Sequence, residues 1–188
     1  MEEGATPTPA DGGPAALIAP DYCRLMARYN RWQNRSLFAA AEALGEEARR
    51  AERGAFFGSI HATLAHLLWA DHMWMSRFSG WAKPAAGITE SPRFIDGWDV
   101  LRAAREEADA AILSWARTLR ERDLRGTLSW HSAALGREVR RPTALCLVHF
   151  FNHQTHHRGQ VHALLTAAGG VPEASDLFVM PESASEEG

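Results

Sequence analysis

A regular seam of side chains, all but one of them apolar, runs through residues 97–122. It consists of Trp98, Leu101, Arg105, Ala108, Ile112, Trp115 and Leu119, which recur at alternating spacings of three and four. This spacing places every member on one face of an α-helix and is typical of helices packed in bundles. The segment therefore predicts a long amphipathic helix that needs partner helices to cover its apolar face.

Three further segments show the same helical periodicity, at about residues 20–44, 59–79 and 142–170. Pro20 and Pro142 suit a first helical turn, because a proline there costs no intrahelical hydrogen bond. Ser59 opens the second segment as an N-cap candidate, and glycines follow the predicted helix ends. Four long helices with little strand between them predict an all-α four-helix bundle.

One long connection, at residues 126–140, contains two short β-prone stretches. Residues 127–130 and 138–139 can pair across the intervening turn as a short hairpin. The predicted fold class is therefore a four-helix bundle with a short hairpin between its third and fourth helices.

The chain has the composition of one globular domain, with 188 residues of which 46% are hydrophobic and 23% charged. We place this domain at residues 20–180. Residues 1–19 and 181–188 are rich in small and acidic residues and are predicted to be disordered tails.

The charge pattern argues against nucleic acid as a partner. The formal net charge is −3, the isoelectric point is about 6.3, and no run of basic residues exceeds two. Nucleic-acid-binding domains usually carry clustered basic stripes and a high isoelectric point.

No apolar run approaches the roughly 20 residues needed to span a membrane, and the N-terminus does not resemble a secretory signal. Cys23 and Cys146 lie far apart inside helical patterns, as expected for buried thiols in a reducing compartment. We therefore expect a cytoplasmic protein without nucleic-acid or membrane partners.

Histidines are the main candidate functional residues of this sequence. The chain has nine, and five of them lie between residues 149 and 162. His153 and His157 stand four apart on the predicted fourth helix, so their Cβ atoms lie roughly 5–6 Å from each other on one face. His66 lies among apolar neighbours on the second helix, which suggests an inward position. His61 is five residues away from His66 and diverges from it by about 140°. His149 lies four residues before His153 on the same helix face, so it is a substitute candidate for a place in a histidine site.

A three-histidine metal site is one interpretation of this pattern, and a polar core network or an interface patch are the alternatives. A metalloprotease of the zincin type is excluded, because Gln154 stands where that motif needs a glutamate. The glutamates of di-iron bundles are also absent. A site with three neutral nitrogens leaves one coordination position open, which is the pattern of catalytic zinc.

Asp71 and Arg158 have two readings of similar weight. They can pair across the second and fourth helices and fix the faces that carry the histidines, or each can be solvated.

Three segments resemble the motifs of a known family. These are RYNRWQN at residues 28–34, FFGSIHATLAHLLWADHMW at 56–74 and NHQTHHRGQ at 152–160. They are similar to the first-, second- and fourth-helix motifs of the DinB/YfiT-like family of metal-dependent proteins. The likeness covers about residues 20–180.

The resemblance implies an up-down-down-up four-helix bundle, often a homodimer, with a divalent metal held by His66, His153 and His157. Zinc is the expected metal, with nickel, manganese or iron as alternatives. Characterised relatives include thiol S-transferases that use bacillithiol or mycothiol, and the family name refers to damage-inducible genes, which suggests a stress response. We therefore expect an enzyme that joins a low-molecular-weight thiol to a small electrophilic substrate. A metal-dependent hydrolase and a bundle that binds metal or ligand without chemistry are the alternatives.

Overall fold

A computed structural model describes residues 17–133 and 135–182 of the chain, which are mostly helical. The helices are α1 (Pro20–Ala43), α2 (Gly45–Arg50), α3 (Ile60–Phe78), α4 (Trp98–Thr118), α5 (Glu121–Leu124) and α6 (Thr143–Ala167). Two strands, β1 (Thr127–Ser132) and β2 (Arg137–Pro142), and two 3₁₀ turns, Ser91–Arg93 and Leu177–Val179, complete the elements. The predicted tails, 1–19 and 181–188, lie mainly outside the described residues, so the domain bounds stay a prediction.

Local signals in the sequence fix the helix ends. Pro20 is the first residue of α1, and the Ser59 side chain accepts a hydrogen bond from the backbone N–H of Ala62 at 3.1 Å.

The prediction for the third long helix was too long by four residues at its end. Helix α4 ends at Thr118, because Leu119 has an extended backbone (ψ 136°) and lets the chain turn into the short α5.

The four long helices α1, α3, α4 and α6 run up, down, down and up, as predicted. Contacts between α1 and α4 and between α3 and α6 follow opposite residue orders, whereas those between α1 and α6 follow the same order. For α1 and α4 these contacts are Asn34 with Asp109 and Arg24 with Leu119. For α3 and α6 they are His66 with His157 and Trp74 with His149. For α1 and α6 they are Tyr22 with Phe151 and Asn30 with Arg158. Among the residues that the structure describes, no helix is both long and apolar enough to cross a membrane.

The predicted hairpin is present between α5 and α6. Strands β1 and β2 pair antiparallel, with Trp130 opposite Val139. The Trp130 ring packs edge-on against Trp74 of α3, with 5.6 Å between ring centroids. The hairpin therefore leans on the bundle beside the α3–α6 seam, where it forms part of a cavity wall.

The core has two apolar clusters, one at each end of the bundle. Leu37, Leu64, Leu101, Val161 and Leu165 represent the first cluster, and Cys23, Met75, Ile112, Phe150 and Phe151 represent the second. Along each long helix, buried polar residues lie near the boundary between the two clusters. We call this set the polar layer; it consists of Asn30, Asn34, Asp71, Arg105, Asp109, Gln154 and Arg158.

Arg105 is the centre of the polar layer and is 2% exposed. Its Nη1 donates to Asp71 Oδ2 at 2.6 Å, and its Nη2 lies 2.8 Å from Asp109 Oδ1. Asp109 also accepts a hydrogen bond from the Asn34 side chain at 2.9 Å. The one polar residue in the α4 seam is thus the counter-ion of two buried carboxylates.

The suggested ion pair between Asp71 and Arg158 is wrong, and so is the solvated alternative. Both side chains are buried, but Asp71 pairs with Arg105, whereas Arg158 donates to Asn30. Gln154 connects the two halves, because its Nε2 donates to Asp71 Oδ1 at 2.9 Å and its Oε1 accepts from Asn30.

Candidate metal centre

The structure brings together the three histidines predicted as metal ligands. His66 comes from α3, and His153 and His157 come from α6. One ring nitrogen of each lies within 4.8 Å of the other two, and the Nε2 atoms of His153 and His157 are 3.1 Å apart. Nitrogens bound to one tetrahedral zinc at about 2.0–2.1 Å stand about 3.3 Å apart, so small side-chain shifts bring this cluster to ligating geometry.

Two neighbouring side chains set the tautomers of the cluster. Ser91 Oγ donates to the Ile88 carbonyl oxygen at 2.6 Å, so it accepts the Nδ1–H of His66 at 2.7 Å. The amide oxygen of Gln160 lies 2.7 Å from His157 Nδ1 and accepts that N–H. Both contacts leave Nε2 as the unprotonated nitrogen that points toward the other histidines. This is how partners behind metal-binding histidines commonly hold the ring and raise its basicity.

Burial keeps the cluster uncharged at neutral pH. Desolvation lowers the pKa of both His66 and His153 to about 3, with a further lowering from the neighbouring imidazoles. The pKa of His157 is also lowered by burial, although its hydrogen bond to Gln160 opposes the shift. A neutral imidazole is the form that binds a metal. The residues present therefore fit a divalent ion bound through nitrogen.

Aromatic rings enclose one side of the cluster. The Phe57 ring stacks on His66 with 3.9 Å between centroids and lies 5.5 Å from the His157 ring. Phe57 comes from the loop before α3 and is not part of the lining of the cavity described below. It was visible in the sequence only as part of the motif at residues 56–74.

The other helical histidines lie outside the cluster. His61 and His72, the other two histidines of α3, both pack on aromatic side chains. His61 is 4% exposed, and its Nε2–H donates to the Ile95 carbonyl oxygen at 3.0 Å. His72 packs against Trp81 at 5.1 Å between centroids. His149, the substitute candidate, stands with its ring centroid 5.8 Å from that of His153 and is not a member of the cluster.

Gln154 is turned away from the histidine cluster. It is 1% exposed and its side chain is fully engaged in the polar layer. The position that carries the general base in zincins therefore belongs to the bundle core in this chain. Sequence reasoning excluded that chemistry from the residue type, and the side-chain direction excludes it again.

A cavity of about 720 Å³ opens beside the cluster, between α3, α6, the loop after α3 and the hairpin. His66 and His153 form its inner end, and Trp69, Trp74 and Trp130 form much of its wall. The size falls within the usual range for small-molecule sites. Trp32 on α1 is not part of this lining, and its indole N–H donates to Glu173 at 3.2 Å.

The fold and this cluster define the class of the protein as a four-helix bundle with a histidine centre able to hold a metal ion. The DinB family model matches residues 18–188, and the chain belongs to the DinB family.

Two relatives illustrate this membership. The chain is 24% identical over 160 residues to Protein DinB of Bacillus subtilis (strain 168), and the match covers 83% of this chain and 91% of that protein. A crystal structure of a DinB-like protein from Bacillus cereus ATCC 10987 superposes with a TM-score of 0.54 at 18% identity, over 76% of this chain and 90% of the other. At this identity the structural likeness supports the fold alone.

Proposed function

We propose that the protein is a divalent-metal-dependent thiol S-transferase acting on small electrophiles, of the bacillithiol- or mycothiol-dependent type. The observation that carries the proposal is that the histidine cluster and the cavity have two residues in common. His66 and His153 belong both to the nitrogen cluster and to the lining of the 720 Å³ cavity. A ligand in the cavity therefore has direct access to the open side of the centre.

Zinc is the metal that best suits three neutral imidazoles, since such sites leave a fourth position for a reacting molecule. When bound there, a divalent ion would hold a thiol in its deprotonated, nucleophilic form. The protein groups do the remaining work. Ser91 and Gln160 hold two of the rings in the ligating tautomer, and Phe57 covers one face of the His66 ring.

A thiol is favoured over water as the nucleophile because the cavity offers no carboxylate base. Among the described residues that line it, none is an aspartate or a glutamate. A free thiol has a pKa near 8.5 and needs only the metal to ionise, whereas water starts near 15.7 and generally benefits from a positioned base as well. In the proposed reaction the thiol sulfur forms a bond to the electrophilic carbon, the leaving group departs with its bonding pair, and the thiol proton passes to solvent.

A homodimer, a small-molecule substrate and a cytoplasmic location belong to the same proposal. They are supported by the family resemblance and by the composition of the chain.

Metal content is the first test. The purified protein is expected to contain about one divalent ion per chain by elemental analysis, and His66→Ala, His153→Ala or His157→Ala each lower that content sharply because two nitrogens hold an ion weakly. His131→Ala is the matched control, since that side chain is 63% exposed on the hairpin. Full metal retention after His153→Ala would refute the ligand assignment.

Thiol dependence is the second test. The metal-loaded protein is assayed with bacillithiol, mycothiol, coenzyme A and glutathione against one chromogenic aryl halide, and the rate is compared with that of chelator-treated protein. We expect a metal-dependent rate with at least one of these thiols and its loss in His157→Ala. Thiol-independent hydrolysis of an ester or lactone by the metal-loaded form would replace the transferase by a hydrolase.

A further inference from the structure

The cavity beside the histidine centre is positively charged at its outer end. Arg77 and Lys83 are both part of its lining, and no acidic residue is, among the residues that the structure describes. Lys83 is the only lysine of the chain. The cavity therefore combines an apolar wall with two cations that face no lining carboxylate.

Arg77 is held in place by aromatic rings instead of by an acid. Its guanidinium carbon lies 4.4 Å from the ring centroid of Trp74 and 5.1 Å from that of Trp130. In the described part of the chain, no ion pair or hydrogen bond occupies its N–H donors. A guanidinium positioned by ring stacking keeps its donors available to a bidentate anionic partner.

The positions along α3 set the length of the ligand. His66, Trp69, Met73 and Arg77 line the cavity at helical spacings of three and four, so they form one stripe, and Trp74 lies beside it. Eleven residues separate His66 from Arg77, which corresponds to about 16 Å of helix rise. The Arg77 head leans back onto Trp74, and helical side chains, His66 included, lean in this same N-terminal direction, so the gap between the ring nitrogens and the guanidinium stays on the order of 15 Å.

The loop after α3 brings Lys83 to the same outer end. This loop returns along the helix: Ser91 meets His66, and the Ala86 carbonyl accepts the Trp69 indole N–H at 2.8 Å. Lys83 precedes Ala86 and so lies further toward the C-terminal end of α3. His149 and His131 also line the cavity, and burial lowers the pKa of His149, so that it remains neutral and adds no charge.

We propose that this cavity binds an elongated small molecule with an anionic head group, a carboxylate or a phosphate, held by Arg77 and Lys83, with an apolar middle against Trp69, Trp74 and Trp130. The opposite end of the molecule reaches the histidine centre. The anion site deepens the proposed function by naming the substrate class, and the assignment of a reactive end at the histidines rests on that function.

Binding to the full chain tests the anion site apart from the metal. The probes are 3-phenylpropanoate, 2-phenylethyl phosphate and the neutral 3-phenylpropanamide, measured by calorimetry on metal-loaded and on chelator-treated protein. We expect at least one anion to bind about tenfold more tightly than the amide in both forms. The better of the two anions identifies the head group.

Substitutions locate the selectivity. Arg77→Gln is expected to weaken anion binding about tenfold and amide binding less than twofold, and Arg77→Lys to keep most of the anion preference. Arg102→Gln, an exposed arginine on α4, is the matched control and leaves both unchanged. Anion preference that exists only in metal-loaded protein would assign it to the metal and overturn this inference while leaving the proposed function intact. Equal binding of anion and amide in both forms would overturn it as well.

The single lysine gives a second measurement that needs no variant. Acetylation of Lys83 by an N-hydroxysuccinimide ester is followed by peptide mass spectrometry with and without probe. We expect the anions, at saturating concentration, to slow modification at least threefold and the amide to leave it unchanged. An unchanged rate with a bound anion would remove Lys83 from the site and overturn the two-cation form of the proposal.

Discussion

Replacement of Arg105 by leucine is the sharpest test of what holds this bundle together. The arginine is 2% exposed and is the direct ionic partner of both Asp71 and Asp109. The substitution leaves two buried carboxylates that approach the same position without their shared cation. Leucine restores much of the apolar volume, so the expected loss is electrostatic rather than a cavity effect.

The magnitude follows from the burial of the pair. Removing one partner of a buried ion pair typically costs 3–5 kcal/mol, because the remaining charge is desolvated without compensation. For a domain of 150–250 residues this corresponds to a fall in the melting temperature of roughly 6–20 °C. Arg102→Leu, one turn earlier on the same helix, removes contacts to Glu42 at 3.2 Å and Asp99 at 3.6 Å. Those pairs are exposed, so that variant is expected to change stability by at most about 1 kcal/mol.

Urea unfolding followed by circular dichroism measures both variants at pH 7, with metal removed so that ligand binding does not add stability. The pH dependence identifies the cause. Burial raises the pKa of Asp109 even with Arg105 beside it, and the loss of Arg105 raises it further. A carboxyl with a raised folded-state pKa is stabilising when protonated and loses that contribution as the pH rises through its folded pKa. The deficit of Arg105→Leu should therefore be largest at pH 7 and shrink at acidic pH. A loss no greater than that of Arg102→Leu, or one independent of pH, would refute the reasoning.

Three further outcomes are expected. Burial lowers the pKa of His61 below its ordinary value, so as the pH falls the unfolded chain takes up the proton before the folded chain does. The stability of the wild-type protein should therefore fall as the pH drops below about 6.5. In urea unfolding, His61→Gln should reduce this pH dependence of stability by up to about 1.4 kcal/mol per pH unit. Burial raises the pKa of the Cys23 thiol to about 12 and also raises that of Cys146, so neither should react with iodoacetamide at pH 8 until urea is added, as read by mass spectrometry; rapid alkylation of the folded protein would contradict this. Deletion of residues 1–16 should leave the melting temperature and the metal content unchanged, because their composition cannot bury enough apolar surface to offset the entropy of ordering. A fall beyond about 4 °C would show that the segment contributes to the fold.

The parts of the structure that sequence predicts well are those with local causes. Three of the four long helices begin and end within about three residues of their predicted bounds, because prolines, an N-cap serine and following glycines act over a single turn. The hairpin was also found, since alternation and turn residues are local signals. The histidine pair on α6 needed only the helical repeat.

The polar layer was missed for the opposite reason. Its contacts join residues that are distant in the chain, such as Asp71 with Arg105 and Gln154 with Asp71. Periodicity marks Arg105 as an interruption of an apolar seam, but it does not predict which acidic residues of the chain form ion pairs with it. Ser91 was missed in the same way, because only the folded loop brings it to His66. Gln160 could have been found, since it lies three residues after His157 on the same helix face.

The polar layer and the histidine centre use neighbouring positions on the same helices. Gln154 follows His153 and Arg158 follows His157, so α6 presents one stripe to the cavity and another, about 100° away, to the core. The hydrogen bond from Gln154 to Asp71 joins α6 to α3, the helix that carries His66. Apolar side chains allow such helices to slide or rotate at small cost, whereas directional bonds between buried polar groups favour one register. The layer therefore favours one distance between the two helices that carry the histidine cluster, and its buried charges lie next to the positions from which the three histidines project.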